Sequence, residues 1–217
     1  MSAAIGLSAL AADVPATTRA QSALREPFVL AGQSVPAGQR AHIDVRVPAG
    51  ASDPATDIPV TVIHGAATGP ILALTAGVHG YEYPPILAAQ QLLDRIDPRE
   101  LSGTVILVRI ANVPAFEQRV PYVNPFDRKN LNRAFPGRPD GSQSERMAWA
   151  LTTEVIRRSD LHVELHGGDG AEWLEAFAGI YGGPLAAAQY ETSRQMGLAF
   201  GFPNIVKYSM ESQAQVD

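Results

Sequence analysis

One apolar run ending in a glycine-flanked histidine restricts the folding options of this chain more than any other feature. Residues 71–76, Ile-Leu-Ala-Leu-Thr-Ala, read as a buried strand, and Gly77-Val78-His79-Gly80-Tyr81-Glu82 follows without a break. Behind that turn, residues 85–96 carry Ile86, Leu87, Leu92, Leu93 and Ile96 at helical spacing. The unit is therefore strand, turn, helix. A second strand-like run, residues 161–165, ends in a similar way at His166-Gly167-Gly168-Asp169. Such units assemble into an α/β domain, whose sites lie beyond the carboxyl ends of the strands. His79, Glu82 and His166 all stand at such ends.

The rest of the chain fits the same architecture. Residues 28–65 favour strands. Residues 40–47 alternate polar and apolar side chains, the period of a half-buried strand, and residues 58–63 supply another strand after a loop over 48–54. Residues 104–111, Thr-Val-Ile-Leu-Val-Arg-Ile-Ala, form a nearly continuous apolar strand of the kind covered by helices on both faces. Ser142-Gln143-Ser144-Glu145 is a capping box that opens a helix to about Arg158. Residues 186–199 read as a helix stopped by Gly201, and residues 204–208 as the start of one more strand. The long segment 112–141, rich in Pro, Asn, Gly and Arg, reads as a loop, and loops of this length are either functional or disordered. The expected fold is α/β, a mostly parallel or mixed sheet flanked by helices, with a short N-terminal β segment.

A chain of 217 residues is long enough to bury a sizeable core. A net charge of -5 argues against a nucleic-acid partner, and no apolar run reaches the ~20 residues of a membrane span. The sequence holds no cysteine, so disulfides and thiolate metal sites are excluded and any metal must use His, Asp or Glu. Residues 1–27 read as a leader and residues 28–217 as one catalytic domain. Residues 3–12 are small and apolar and Ala9-Leu10-Ala11 resembles a signal-peptidase site, yet no Lys or Arg precedes them. A disordered leader and a signal-like segment, and so a cytoplasmic and a periplasmic location, both stay open.

Two histidines and a glutamate past strand ends match the ligands of a catalytic zinc ion, whose open fourth position holds water. His79 and Glu82 are three apart, so an imidazole and a carboxylate converge without distortion, and His166 must be brought in by folding. This donor set suits zinc, with other divalent ions also compatible. His162, Glu164 and His166 share one strand face. Glu164 either accepts a hydrogen bond from a ligand imidazole or pairs with a nearby Arg. His162 reads as structural, and His42 and His64 as polar surface residues. In the long loop, the Arg133 fork beside Asn132 is suited to a carboxylate. Arg119 is a candidate for stabilising an oxyanion, and Arg128 reads as a surface charge.

Taken in order, Gly77-Val78-His79-Gly80-Tyr81-Glu82, Asn130-Leu131-Asn132-Arg133-Ala134-Phe135-Pro136-Gly137 and Glu164-Leu165-His166-Gly167-Gly168-Asp169 resemble the succinylglutamate desuccinylase/aspartoacylase family. These are zinc amidohydrolases related in fold to the zinc carboxypeptidases. The resemblance runs from about Gly65 to Gly183, and more loosely back to Phe28. It implies one Zn2+ bound by His79, Glu82 and His166, and a substrate carboxylate held by Asn132 and Arg133. It also implies Arg119 as the oxyanion-stabilising arginine, and places Asn112-Val113-Pro114-Ala115-Phe116 near the substrate. The family's general base, a glutamate on a later strand reading Thr/Val-Glu-Leu-Gly, has no counterpart here. Glu172, Glu175 and Glu211 do not match it, and the chain reads as truncated at its carboxyl end. Tyr81, where the family often has an acidic residue, leaves the substrate class wide. The expected activity is zinc-dependent cleavage of an amide bond in an N-acyl amino acid or similar small carboxylate. The alternatives are a carboxypeptidase-like peptidase and a catalytically silent metal-binding fragment. The expected partner is a small-molecule carboxylate, with the oligomeric state open.

Overall fold

The computed structural model describes residues 25–211, so all but the last three residues of the expected leader lie outside the described residues. The chain first forms a hairpin of β1 (Phe28–Leu30) and β2 (Gln33–Val35). Its two-residue turn has positive φ at both Ala31 and Gly32, the backbone that matches the twist of paired strands. β3 (Gln39–Val47) follows and buries Ile43, Val45 and Val47 while His42, Asp44 and Arg46 face outward, as the alternation predicts.

β4 (Thr56–His64), β5 (Ala67–Ala76), β6 (Ser102–Val108) and β7 (Leu161–Leu165) complete a five-stranded sheet in the order β3-β4-β6-β5-β7. The pairs β3–β4 and β4–β6 are antiparallel, whereas β6–β5 and β5–β7 are parallel, so the sheet is mixed. Alternate residues of the central strands feed two separate cores. Val60, Val62, Ala73, Ile106 and Val108 pack with Met147, Ala148 and Leu151 of α3 (Gln143–Glu154). Ile63, Leu74, Ala76, Val105 and Leu107 pack on the other face with Ala89 of α1 (Tyr83–Leu92) and the adjacent Leu93. A strand covered by a helix on each side has no polar face, which explains the unbroken apolar runs of β5 and β6.

The Glu145 half of the capping box forms, with the Ser142 amide donating to Glu145 Oε2 at 2.8 Å, while Ser142 Oγ finds no hydrogen-bond partner among the described residues. The helix ends at Glu154, and a 3-10 turn over Ile156–Arg158 completes the expected length. The segment 112–141 is less irregular than its composition implies. It holds α2 (Val113–Gln118), whose first turn is capped by Asn112 Oδ1 accepting from the Ala115 amide, and a 3-10 turn at Leu131–Arg133. Beyond the main sheet, β8 (Phe177–Gly182), α4 (Tyr190–Ala199) and β9 (Asn204–Ser209) form a parallel β-α-β unit. β8 was not legible, because two glycines in six residues dilute the strand pattern. α4 starts later than expected, since Pro184–Ala186 makes a 3-10 turn instead.

His64, read as a surface residue, is only 2% exposed. It ends β4, which lies between β3 and β6, so its ring has no route to solvent. Thr104 Oγ1 lies 2.9 Å from its Nδ1, and its Nε2 donates to the Glu26 carbonyl at 3.0 Å. Burial lowers its pKa from the ordinary 6.5, with the nearby Arg25 charge adding to the effect and the Glu26 carbonyl opposing it. The folded protein therefore favours neutral His64, and the unfolded chain takes up the extra proton. This contribution to stability is present above the ordinary value of 6.5 and is lost as pH falls below it. The Tm of the metal-free protein should fall between pH 6.5 and pH 5. His64→Gln should flatten that fall while costing about 1–2 kcal/mol at neutral pH. Thermal melts at a series of pH values check both.

Candidate metal centre

β5 and β7 run parallel, and their register pairs Ala76 with Leu165. The residues that follow each strand therefore come level, and His166 arrives beside the turn 77–82. That turn is tightly held. Beyond β5, the Ala111 amide donates to Ala76 O at 2.9 Å and the Asn112 amide to Gly77 O at 2.8 Å. Gly80 lies so close to α2 that a Cβ there would stand 2.2 Å from the Phe116 nitrogen, so only glycine fits. The Glu82 amide donates to His79 O at 3.2 Å, which closes the turn and sets the two side chains together.

The three residues meet around the Glu82 carboxylate. His79 Nδ1 is 2.7 Å from Glu82 Oε1, and His166 Nδ1 is 3.0 Å from Glu82 Oε2. The Gly167 amide donates to the same Oε2 at 3.1 Å. One ligand atom from each residue lies within 4.8 Å of the others. His79 and Glu82 are buried, at 6% and 4% exposure, and His166 is more open. The far nitrogens have partners of their own. His79 Nε2 donates to Asn130 Oδ1 at 3.0 Å, and His166 Nε2 to Glu164 Oε1 at 2.6 Å. These partners assign the Nε2 proton in both rings and aim both Nδ1 atoms at the carboxylate.

Electrostatics lock the group further. Burial pushes the Glu82 carboxyl upward, but hydrogen bonds from His166 and His79, the His166 charge and the Gly167 amide outweigh it and hold the value at about 2. Burial pulls His166 downward, but Glu164 and Glu82 raise it to about 10. A proton thus sits between carboxylates where a cation can replace it. Two imidazole nitrogens and a carboxylate oxygen, with no thiolate available, form a donor set that fits zinc.

The structure brings together His79, Glu82 and His166 as the sequence suggests. Glu164 resolves to the first of its two readings, since it bonds a ring of the group rather than an Arg. His162 lies in the sheet against Thr75 Oγ1 at 3.0 Å, and burial lowers its pKa. The Asn132 side-chain nitrogen stands 3.3 Å from His166 Nε2. Arg133 is exposed, donates to its neighbour's carbonyl at 3.1 Å, and lines a shallow cleft with Lys129, Asn130, Ala134 and Glu145. Arg119 stands apart. It ends α2 with a left-handed backbone and lines a groove with Tyr83, Ile86, Leu87 and Phe116. Its guanidinium makes no hydrogen bond or ion pair among the described residues. Arg128 is exposed. Sequence reading assigned no role to Asn130, although its place in the Asn-Leu-Asn-Arg run was a signal. It also passed over Tyr122, whose ring centroid lies 5.3 Å from that of His79, and Asp169.

Residues 68–215 match the profile of the succinylglutamate desuccinylase/aspartoacylase catalytic domain. The chain is 36% identical over 162 residues to an N-alpha-acetyl-L-2,4-diaminobutyric acid deacetylase of Halomonas elongata, covering 74% of this chain and 46% of that protein. The product-bound structure of the ectoine utilization protein EutE (DoeB) from Ruegeria pomeroyi superposes with a TM-score of 0.70 at 28% identity, covering 86% of this chain and 57% of that one. A metallo-carboxypeptidase from Burkholderia cenocepacia shares the fold at a TM-score of 0.56 and 14% identity, over 82% of this chain and 50% of that one. The chain spans about half the length of these relatives.

One zinc ion per chain is expected to bind and to raise the Tm. Glu164→Gln leaves the fold intact but replaces a charged acceptor by a neutral one, and should weaken binding roughly 10- to 100-fold. Titration calorimetry measures both stoichiometry and affinity, and His79→Ala should abolish the signal.

Proposed function

We propose that this chain, which belongs to the succinylglutamate desuccinylase/aspartoacylase family, carries the metal centre and carboxylate clamp of a hydrolase that removes an acyl group from an amino acid. Residues 28–217 make up the catalytic domain in this reading. The observation that carries it is the convergence of His79 Nδ1, His166 Nδ1 and the Glu82 carboxylate, with both outer nitrogens already committed to oxygen acceptors. The name of the Halomonas elongata relative, a deacetylase of an acetylated diamino acid, supports the acyl amino acid as substrate.

His79, Glu82 and His166 hold the zinc ion, which when bound supplies Lewis acidity and lowers the pKa of water. Glu164 and Asn130 keep the two imidazoles in the tautomer that directs Nδ1 inward. Arg133 is free to grip a carboxylate through its outer nitrogens, because its only side-chain hydrogen bond among the described residues is to a backbone carbonyl. Asn132, beside His166, holds that end of the substrate near the centre. Arg119 is the oxyanion-stabilising residue in this reading; it lies in the groove beside Phe116 in this structure, so that role requires its side chain to turn toward the centre. The Tyr122 ring shields one side of His79 from water. We assign no residue of this chain to the proton-acceptor role.

Release of free amine from N-acetyl-L-2,4-diaminobutyrate, N-acetylaspartate and N-succinylglutamate tests the activity, with and without a chelator. Turnover of at least one substrate should vanish with chelator and return with zinc; turnover indifferent to chelation would count against the metal mechanism. Arg133→Ala should raise KM about 10- to 100-fold with little change in kcat, as expected for the loss of a charged hydrogen bond to the substrate. An unchanged KM would remove Arg133 from the clamp.

A further inference from the structure

Three residues beyond His166 lies a carboxylate that nothing described so far explains. Asp169 is half-buried as a residue, but both its side-chain oxygens are shut off from solvent and have no hydrogen-bond partner among the described residues. An unpaired buried carboxylate is costly, and native proteins rarely retain one without a use for it.

Its placement is not accidental looseness, because the loop that carries it is fastened at several points. The Gly167 amide binds Glu82 Oε2 at 3.1 Å, and the Gly170 amide donates to Tyr81 O at 3.0 Å. Gly170 has φ +58°, and a Cβ there would fall 2.5 Å from the Tyr81 ring. The Asp169 amide donates to Glu172 Oε2 at 3.1 Å and the Glu172 amide returns to Asp169 O at 2.9 Å. The backbone on each side of Asp169 is thus tied to the same turn that presents His79 and Glu82. Burial raises the Asp169 pKa; the Glu82 charge adds to the rise, His79 opposes it and Glu172 adds again. The side chain therefore lies within electrostatic reach of the ligand group, yet it is not one of the three residues whose donor atoms converge.

Building on the metal reading above, we propose that Asp169 is a positioning residue for the cation of the His79–Glu82–His166 centre, a carboxylate outside the ligand set whose charge tightens the hold on a divalent ion. The Glu82 charge works against an ionised Asp169 in the metal-free protein, and a divalent cation at the ligand group offsets that repulsion. A cation at the ligand group adds to the partial compensation from His79 for an Asp169 charge that receives no hydrogen bond among the described residues.

The test measures zinc affinity, by competition with a chromophoric chelator, and the Tm of the metal-free protein. Both are read for the unaltered chain, Asp169→Asn, Asp169→Ser, Asp169→Glu and His79→Ala. The two neutral variants should bind zinc roughly 10- to 100-fold more weakly. Their metal-free forms should melt about 2 °C or more higher, because an unpaired like charge is gone. Asp169→Glu, which keeps the charge, should hold zinc within about threefold of the unaltered chain. Zinc affinity unchanged in the neutral variants overturns the proposal. So does a metal-free Tm that falls together with affinity, the mark of a residue that only supports the fold. If the unaltered chain binds no zinc, or His79→Ala binds it equally well, the metal reading itself fails and this proposal falls with it.

Discussion

The parallel pairing of β7 against β5 is the contact on which the centre depends. His79 and Glu82 are local neighbours, but His166 follows Glu82 by 84 residues and reaches it only because Ala76 lies opposite Leu165. A shift of one residue would turn every β7 side chain to the opposite face. The start of the strand is pinned: the Ile71 amide donates to Asp160 Oδ2 at 2.8 Å, and the Asp160 amide donates to Ile71 O at 2.8 Å. β7 needs this fixing because none of its side chains is fully buried, so packing alone specifies its register weakly.

The α/β class and the grouping of three side chains were legible in the sequence, whereas burial and the short elements were not. His79, Glu82 and His166 could be singled out from sequence because each follows a strand, both histidines have a glycine neighbour and Glu82 stands three residues after His79, and those signals are local. The capping box of α3 was equally local. His64 was misread because its burial follows from the sheet order, which places β4 between β3 and β6, and no window of sequence contains that order. α2 was missed because a six-residue helix with proline in its first turn has too few apolar positions to show a period. Asp169 carried no signal at all: an aspartate after two glycines reads as an ordinary turn, and only the fold reveals that its oxygens are enclosed without a partner among the described residues.

The two imidazoles are not held alike. Glu164 gives His166 a charged acceptor, and Asn130 gives His79 a neutral one. A charged acceptor strengthens the hydrogen bond and makes the opposite nitrogen more basic. The exposed histidine therefore has the stronger support, and the buried one relies on its enclosure. Asn130 Oδ1 also accepts the Asn132 amide at 2.8 Å, so the same oxygen that orients His79 shapes the 3-10 turn carrying Asn132 and Arg133.

Two glycines hem in the turn 77–82, Gly80 against α2 and Gly170 against the Tyr81 ring. Neither position tolerates a larger residue without displacing its neighbour. For anyone seeking to retune this scaffold in the laboratory, libraries that vary those two positions will mostly yield collapsed proteins. Diversity is better invested around Tyr81 and Tyr122, where new side chains can be tried while the frame of His79, Glu82 and His166 keeps its shape.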